Sequence, residues 1–248
     1  MATYVCSDIH GAYNKFKALL KKIKFNDNDQ LYILGDVIDR GMEPIPLLLD
    51  IMERKNVTLL LGNHECMMYD AYYGDSYDKC IWYSNGGTVT DNQLSKLSEI
   101  EQELIFDYIF HLPIVVPDLI INNKHYYLAH ASYIDKPNIT GDESLSSLNR
   151  NFIDMAIWGR DYPYVNIKKS IVYNEHRNKT LIAGHTMTFN LMKKNNPTIP
   201  GHIFYGHKKH YINIDCGCSL YAIQSKKHLK ETGRLGCLCL DTMKEFYV

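Results

Sequence analysis

Six residues of metal-ligand type stand at the ends of short apolar runs in this 248-residue chain: Asp8, His10, Asp36, Asn63, His130 and His185. Carboxylates, imidazoles and one amide form a mixed oxygen and nitrogen donor set without thiolate. Such a set suits Mn2+, Fe or Zn2+ better than Mg2+ or Ca2+. Six donors exceed what one catalytic ion with open positions needs, so the set points to two ions. A carboxylate can bridge two ions about 3.5–4 Å apart, the spacing that clamps both the attacking and the leaving oxygen of an in-line displacement at phosphorus. Taken singly, each residue has a plainer reading. Asp8 and Asn63 would cap the helices that follow them, and His130 and His185 would be core histidines. Independent caps do not explain six ligand-type residues at matching positions.

Three clusters carry the first four of them: Ser7-Asp8-Ile9-His10-Gly11, Gly35-Asp36-Val37-Ile38-Asp39-Arg40-Gly41 and Gly62-Asn63-His64-Glu65. Each follows an apolar run, at residues 3–6, 31–34 and 57–61, short enough to be a buried strand. Between these runs, Phe16, Leu19, Leu20 and Ile23, then Ile45, Leu48, Leu49 and Met52, recur at helical spacing. The order β-α-β-α-β calls for a parallel sheet with right-handed crossovers, and ligands bind just beyond the carboxyl ends of such strands. Further helices are expected over 66–73, 99–110 and about 145–157, with a polar loop at 74–79 and a break at Gly86-Gly87. Strands are expected at 114–116, 119–121, 126–129, 181–183, 211–214, 220–224 and 235–241, with 245–248 as a possible last one. The late strands lack intervening helices, so they should build a second, mixed or antiparallel sheet. Residues 134–147 and 190–207 read as loops. No repeat or linker interrupts the pattern, and a single domain over 1–248 is expected.

Composition narrows the class. A net charge of −1 gives no basic signature of nucleic-acid binding, so no nucleic-acid partner is expected. No apolar run approaches the roughly 20 residues that cross a bilayer, and the start of the chain shows no basic-then-apolar export signal. A cytoplasmic protein without a membrane partner is the expectation. Seven cysteines, an odd number, argue against a disulfide framework. Cys216/Cys218 and Cys237/Cys239 have the spacing that puts two thiols on one face of a strand. Inert core thiols are the first reading, with a redox-sensitive or metal-binding role as the alternatives.

The three clusters, spaced 28 and 27 residues between Asp8, Asp36 and Asn63, resemble the signature of the calcineurin-like metallophosphoesterases. More narrowly, they resemble PPP-type serine/threonine protein phosphatases in their short bacterial and phage forms. The likeness continues through Leu128-Ala129-His130-Ala131, Trp158-Gly159-Arg160-Asp161, Ala183-Gly184-His185-Thr186 and Asn213-Ile214-Asp215-Cys216-Gly217, in the family's order. It implies an α/β fold, a four-layer α/β/β/α sandwich with an N-terminal βαβαβ unit and the site at one edge. It also implies a dinuclear site with Mn2+ as the first choice and Fe or Zn2+ as alternatives. Asp8, His10 and Asp36 would hold the first ion; Asp36 would bridge to the second, completed by Asn63, His130 and His185. A hydroxide shared by the two ions would attack phosphorus in line. His64 would protonate the leaving oxygen, Asp39 would orient His64, and Arg40 and Arg160 would grip the phosphate. Asp215 and Gly217 would support the site. Trp82 and Asn85-Gly86-Gly87-Thr88 also recur near the active site in this family, although a plain turn with a buried Trp fits them equally. His111, His125, His176, His202, His207, His210 and His228 match no motif and read as surface or core residues.

One position departs from the phosphatase pattern. Those enzymes usually carry Arg before Gly-Asn-His-Glu, where this chain has Leu61. The related symmetrical dinucleoside tetraphosphatases can carry Leu there and start like Met1-Ala2-Thr3-Tyr4, yet they tend to lack the acid at Asp39 and to have Asp in place of Glu65. The expected function is a metal-dependent phosphomonoesterase, a serine/threonine or dual-specificity protein phosphatase acting on phosphoprotein or small phosphate esters. The alternatives are a dinucleoside polyphosphate hydrolase with nucleotide substrates and, against the intact ligand set, an inactive metal-binding scaffold.

Overall fold

The first apolar run becomes strand β1 (Thr3–Cys6), buried along its whole length. It pairs in parallel with β2 (Gln30–Ile33), which pairs in parallel with β3 (Val57–Leu59). This computed structural model describes every residue except 135, 137, 161–177, 193–200, 207–209 and 223–231. Helix α1 (Tyr13–Ile23) makes the first crossover and buries Phe16, Leu19 and Ile23. It stops at Lys24, whose left-handed φ of 55° turns the chain out of the helix. Helix α2 (Pro44–Met52) makes the second crossover and starts with Pro in its first turn, where a missing N–H costs nothing.

On α2 the buried face is not the expected one. Leu47 and Ile51 are buried alongside Ile45 and Leu48, while Leu49 is 37% exposed and Met52 is only half-buried. Nearly every residue of this helix is apolar, so the helical spacing fits two adjacent phases, and packing against the sheet selected the earlier one.

Helix α3 (Asn63–Tyr73) follows β3, and α4 (Ser76–Ser84) follows almost at once. The polar loop expected at 74–79 is therefore mostly the start of a helix. Asp75 caps it by accepting N–H bonds from Tyr77 and Asp78, and the Asp78 carboxylate accepts the Asp75 N–H in return. This reciprocal cap stabilises a helix start whose apolar face is slight. Next come α5 (Thr88–Leu94) and α6 (Glu99–Phe110). The runs at 114–116 and 119–121 prove to be one strand, β4 (Val115–Ile121), with a register shift between Val116 and Leu119 where Pro117 cannot donate to the ladder. Strand β5 (Lys124–Ala129) returns antiparallel to it. Helix α7 (Arg150–Trp158) begins later than expected, capped by the Asn149 side chain. Then come β6 (Lys179–Ala183), α8 (Thr188–Leu191), β7 (Phe204–Tyr205) and β8 (Tyr211–Asn213).

The run at 220–224, expected as a strand, is helical where it is described: α9 (Cys218–Ala222) begins just after Gly217, whose φ of 81° redirects the backbone. A five-residue apolar run is compatible with either conformation, and the turn ahead of it decided. The last two strands, β9 (Gly236–Cys239) and β10 (Lys244–Tyr247), also depart from expectation, because they join the first sheet. β9 pairs antiparallel with β1, setting Cys6 opposite Cys237 and Val5 opposite Leu238. A tight hairpin needs no crossover helix, so it can close the open edge of β1 that the parallel unit leaves bare. The sheet orders are β10-β9-β1-β2-β3 and β4-β5-β6-β8-β7.

Alternation along the strands divides the core. Val5, Leu34, Leu60 and Leu238 of the first sheet meet Tyr126, Leu128, Ile182 and Ile212 of the second in the space between sheets. Tyr4, Cys6, Ile33 and Leu59 face outward and share a core with Phe16, Leu19, Leu47 and Leu48. On the far side, Tyr127, Ala129 and Leu181 pack with Ile153, Ala156 and Ile157 of α7. The layers are α/β/β/α, as expected.

This packing settles the cysteine pairs differently from one another. Cys237 and Cys239 lie on the same, helix-facing side of β9, but Cys216 belongs to the inter-sheet core and Cys218 to the helix-side core. All seven are free thiols and all but Cys80 are buried. Burial pushes the thiols of Cys6, Cys66, Cys216 and Cys237 up, and that of Cys218 to about 12. Among the described residues, none joins a cluster able to hold a metal ion.

Two outcomes follow. A thiol reagent such as Ellman's should titrate Cys80 quickly in the native chain and all seven only after unfolding; a second fast thiol would refute the inert-core reading. Leu47→Ala should cost about 2–5 kcal/mol of unfolding free energy, against about 1 kcal/mol or less for Leu49→Ala, measured by urea denaturation.

Candidate active site

The first two N-terminal clusters turn sharply as they leave their strands, whereas the third passes through an extended Gly62 straight into α3. Asp8, His10, Asp36, Asp39 and Arg40 have φ of 52°, 48°, 56°, 66° and 64°, and His185 joins them at 64°. Non-glycine residues in the left-handed region each cost about 1 kcal/mol or more. Five of the six follow β1 and β2 of the first sheet, where backbone bonds tie the two clusters together, and His185 follows β6 of the second. The N–H groups of Asp8, His10 and Gly11 donate to the carbonyls of Gly35, Asp36 and Val37 at 3.2, 2.9 and 2.7 Å. Where the second and third clusters cross, a Cβ on Gly35 would lie 2.5 Å from Gly62 Cα, and one on Gly62 would lie 2.3 Å from Asp36 Oδ1. Only glycine permits that approach.

The fully buried Glu65 locks this crossing. Its Oε2 accepts the N–H of Asp36 at 2.8 Å and of Gly62 at 3.0 Å, while Oε1 accepts that of Val37 at 2.8 Å. Sequence reasoning placed Glu65 in a motif without giving it a task. An acid at the third position of a helix, behind a glycine cap, is the signal that would have found it.

Five of the six candidate ligands converge. Asp36, 2% exposed, stands in the middle. Its Oδ2 lies 3.6 Å from His10 Nε2 and its Oδ1 lies 3.5 Å from His130 Nε2, so its two oxygens face two different imidazoles. His10 Nδ1 donates to the Ile38 carbonyl at 3.0 Å and His130 Nδ1 to the Leu34 carbonyl at 2.6 Å. Both Nε2 atoms are thereby left as lone pairs aimed inward. Asn63 Oδ1 lies 2.9 Å from His130 Nε2 and 2.9 Å from His185 Nδ1, and those two nitrogens are 3.2 Å apart. His130 Nε2 and Asn63 Oδ1 thus face each other as acceptors at contact distance, and His185 Nε2 is buried without any partner. A cation is what such a group of lone pairs can satisfy.

Electrostatics agree with the geometry. Burial opposes charge on Asp36, yet His130, His64 and His10 overcome it and pull its carboxyl well below the usual range. Burial, helped by the Arg40 charge, drives His10 well below the usual imidazole value; burial together with His130 takes His185 to about 2. His10 and His185 are thereby favoured in the neutral form, the one that coordinates metals.

Asp8 is the exception among the ligands, because it enters neither of the two groups of close donors, His10–Asp36–His64 and Asp36–His130–His185. Its Oδ2 accepts the Ser7 hydroxyl and the His185 N–H, the latter at 3.0 Å. Burial, then the nearby charge of Asp36, raises its carboxyl to about 8, as befits an anion buried beside another anion.

His64 stands as close to Asp36 and His10 as a ligand would. What sets it apart is the partner of its Nδ1: the buried Asp39 carboxylate at 2.6 Å, in place of a backbone carbonyl. Arg40 donates through Nη1 to His10 Nε2 at 2.9 Å and through Nη2 to His64 Nε2 at 2.8 Å, so its guanidinium reaches into the centre. Arg160 follows α7 on the rim, exposed, and its charge contributes to the depressed His185 value. It is carried there by Trp158, packed edge-on against His185 with ring centroids 5.7 Å apart. Asp215 is buried behind Asp8; burial and the Asp8 charge raise its carboxyl, and it accepts the Gly217 N–H at 2.9 Å. The remaining described histidines stay outside the two groups of close donors. His111 pairs with Asp107 and His125 with Asp118, and His202 packs on Tyr247. His176, His207 and His228, like Asp161, lie outside the described residues.

The family model of the calcineurin-like phosphoesterases matches residues 1–220. Serine/threonine-protein phosphatase 2 of Salmonella typhimurium is 31% identical over 159 residues, which cover 64% of this chain and 67% of that protein. The symmetrical bis(5'-nucleosyl)-tetraphosphatase of Buchnera aphidicola is 41% identical over 81 residues, covering 32% of this chain and only 30% of its own length. Among solved structures, a serine/threonine phosphatase from Saccharomyces cerevisiae superposes with a TM-score of 0.59 over 97% of this chain and 72% of its own, at 16% identity. The cold-active protein-tyrosine phosphatase of a psychrophilic Shewanella gives 0.55 over 99% and 79%, also at 16% identity. At such identities these two likenesses speak for the fold alone.

Replacing Glu65 with Gln turns an amide NH2 toward backbone N–H groups that need an acceptor. The substitution should cost about 2–4 kcal/mol in urea unfolding; a loss under about 0.5 kcal/mol would show that the crossing does not rest on this carboxylate.

Proposed function

Because the chain belongs to the calcineurin-like phosphoesterases and is therefore a metal-dependent phosphoester hydrolase, we propose that it is a phosphomonoesterase acting on phosphoproteins, of the serine/threonine or dual-specificity kind. The observation that carries the metal site is the set of unprotonated donors around Asp36, with His10 and His130 each committed through Nδ1 to a carbonyl. Asp8, His10 and Asp36 would hold one divalent ion, and Asp36, Asn63, His130 and His185 the other. Such ions, with Mn2+ our first choice and Fe or Zn2+ compatible with the same donors, supply Lewis acidity toward phosphoryl oxygens and make hydroxide available near neutral pH.

The residues of the chain supply the rest. A serine or threonine alkoxide is a poor leaving group and needs a proton as the P–O bond breaks. We assign that proton to His64; its Nδ1–H on Asp39 fixes the ring, and its Nε2 lies 3.9 Å from Asp36 Oδ2, which supports the role. Asp39, fully buried, holds that Nδ1–H and with it the plane of the ring. Arg40 presents a planar fork from within the site, and Arg160 a second from the rim, matched to non-bridging phosphate oxygens.

A second reading, hydrolysis of dinucleoside polyphosphates, is favoured by one observation. Leu61 is fully buried in the core and its N–H donates to the Pro113 carbonyl at 2.9 Å, so no cation extends from that position toward a phosphate. The Asp39–His64 pair supports the phosphomonoesterase reading, since an anhydride leaves as a phosphate that needs less help from an acid.

Assays with Mn2+ on a phosphoserine peptide, p-nitrophenyl phosphate and diadenosine tetraphosphate separate the readings; faster turnover of the dinucleotide than of the peptide would overturn ours. Asp36→Asn should lose both ions by elemental analysis, and two ions per chain in that variant would contradict a bridge. His64→Asn should keep its ions and lose about 10²- to 10⁴-fold in turnover of the phosphoserine peptide. Loss of metal there would make His64 a ligand.

A further inference from the structure

The turn between α4 and α5, with the helix ends that flank it, brings Trp82 of α4, Asn85, Gly86 and Gly87 of the turn and Thr90 of α5 to one side of the site. We infer that this turn is a clamp that positions both His64 and Arg40, with Trp82 and Thr90 fixing His64 through Asp39; this rests on the assignment of His64 as the proton donor. The Asp39 carboxylate is saturated from this side. Trp82 Nε1 donates to Oδ2 at 2.9 Å, the oxygen that also accepts from His64 at 2.6 Å, and Thr90 Oγ1 donates to Oδ1 at 2.6 Å. Thr90 Oγ1 in turn accepts the Asp39 N–H at 3.0 Å. Trp82 and Thr90 are themselves buried, at 2% and 0% exposure, so neither bond competes with water. A carboxylate with one donor rotates about its Cβ–Cγ bond, whereas one with donors on both oxygens from two helices keeps its plane, and the imidazole bonded to it keeps its ring orientation.

The same turn holds Arg40. Its N–H donates to the Gly86 carbonyl at 3.2 Å and its Nε to the Asn85 carbonyl at 3.3 Å, so two backbone oxygens orient the guanidinium. The glycine pair follows from this geometry. Gly86 has φ of 104°, and a Cβ there would lie 2.8 Å from Arg40 Cγ; a Cβ on Gly87 would lie 2.5 Å from the Trp82 indole. Three residues of the turn and one from each flanking helix thus set the proton donor and the phosphate-side fork in a fixed relation. A merely structural turn would need neither the indole N–H nor the hydroxyl.

The test compares leaving groups in the Mn2+-loaded full chain. Nitrophenolate departs with little help from an acid, whereas a serine alkoxide depends on it. Trp82→Phe and Thr90→Val should each lower kcat for a phosphoserine peptide about 10- to 100-fold while lowering it about threefold or less for p-nitrophenyl phosphate, with KM and metal content unchanged. Thr90→Ser, which keeps the hydroxyl, should restore the peptide rate to within about threefold. Gly86→Ala should raise KM about tenfold for both substrates without altering their kcat ratio, because it displaces Arg40 and leaves the acid in place. Equal losses on both substrates, or peptide turnover untouched by Thr90→Val, overturn the clamp. His64→Asn run alongside separates the two failures: a selective loss there but not in the Trp82 and Thr90 variants overturns the clamp alone. Equal losses with His64→Asn overturn the proton-donor role and the clamp with it.

Discussion

A carboxylate with almost no access to water, Asp36, sits where two sheets and a helix meet, and the rest of the site is arranged around keeping it charged. Burial alone would neutralise it. Three imidazoles and the His64 N–H reverse that tendency, and they come from every part of the chain: His10 from the end of β1, His64 from α3, His130 from the end of β5. A buried anion is tolerable only with such partners or with a cation beside it. His10 and His130, each bonded through Nδ1 to a carbonyl, turn Nε2 inward, and His185 Nε2 is buried without a partner, so the space they enclose suits a cation.

Keeping those groups together costs backbone strain. Six site residues occupy the left-handed region, and glycines 35 and 62 touch where a side chain would collide. Strain of this size persists when surrounding contacts over-determine the conformation. Glu65 does so beneath the second cluster, and the net of N–H bonds onto Gly35, Asp36 and Val37 does so for the first. Above the site, the α4–α5 turn fixes Asp39 and Arg40. The centre is therefore held from below by a buried acid and from above by a turn, and its side chains have few directions in which to relax.

Much of this was legible in the residues alone. The βαβαβ order followed from three apolar runs and two helical repeats, and Asp8, His10, Asp36, Asn63, His130 and His185 announced themselves by type and position at strand ends. Such patterns are local: a strand end is marked by the Gly and Asp that leave it, and a ligand by its own chemistry. The difficulties were where local pattern is degenerate. On α2 almost every residue is apolar, so the buried phase was open; at 220–224 five apolar residues allowed either strand or helix; at 74–79 a polar stretch concealed the cap at Asp75.

What tertiary structure alone decided is which groups touch. No spacing told that β9 and β10 would close the edge of β1, because strand pairing is set by which edge stays bare once the parallel unit forms. Nor did any pattern reveal that Asp39 takes three side-chain donors, that Asp8 leans on Ser7 and the His185 backbone apart from the other donors, or that Glu65 serves Asp36 and Val37 in place of its own helix alone. Sequence determined the chemistry available, since donor type and strand-end position are properties of single residues and their neighbours. Partners 50 or 100 residues apart meet only when two sheets stack, so the coupling between those donors belongs to the fold.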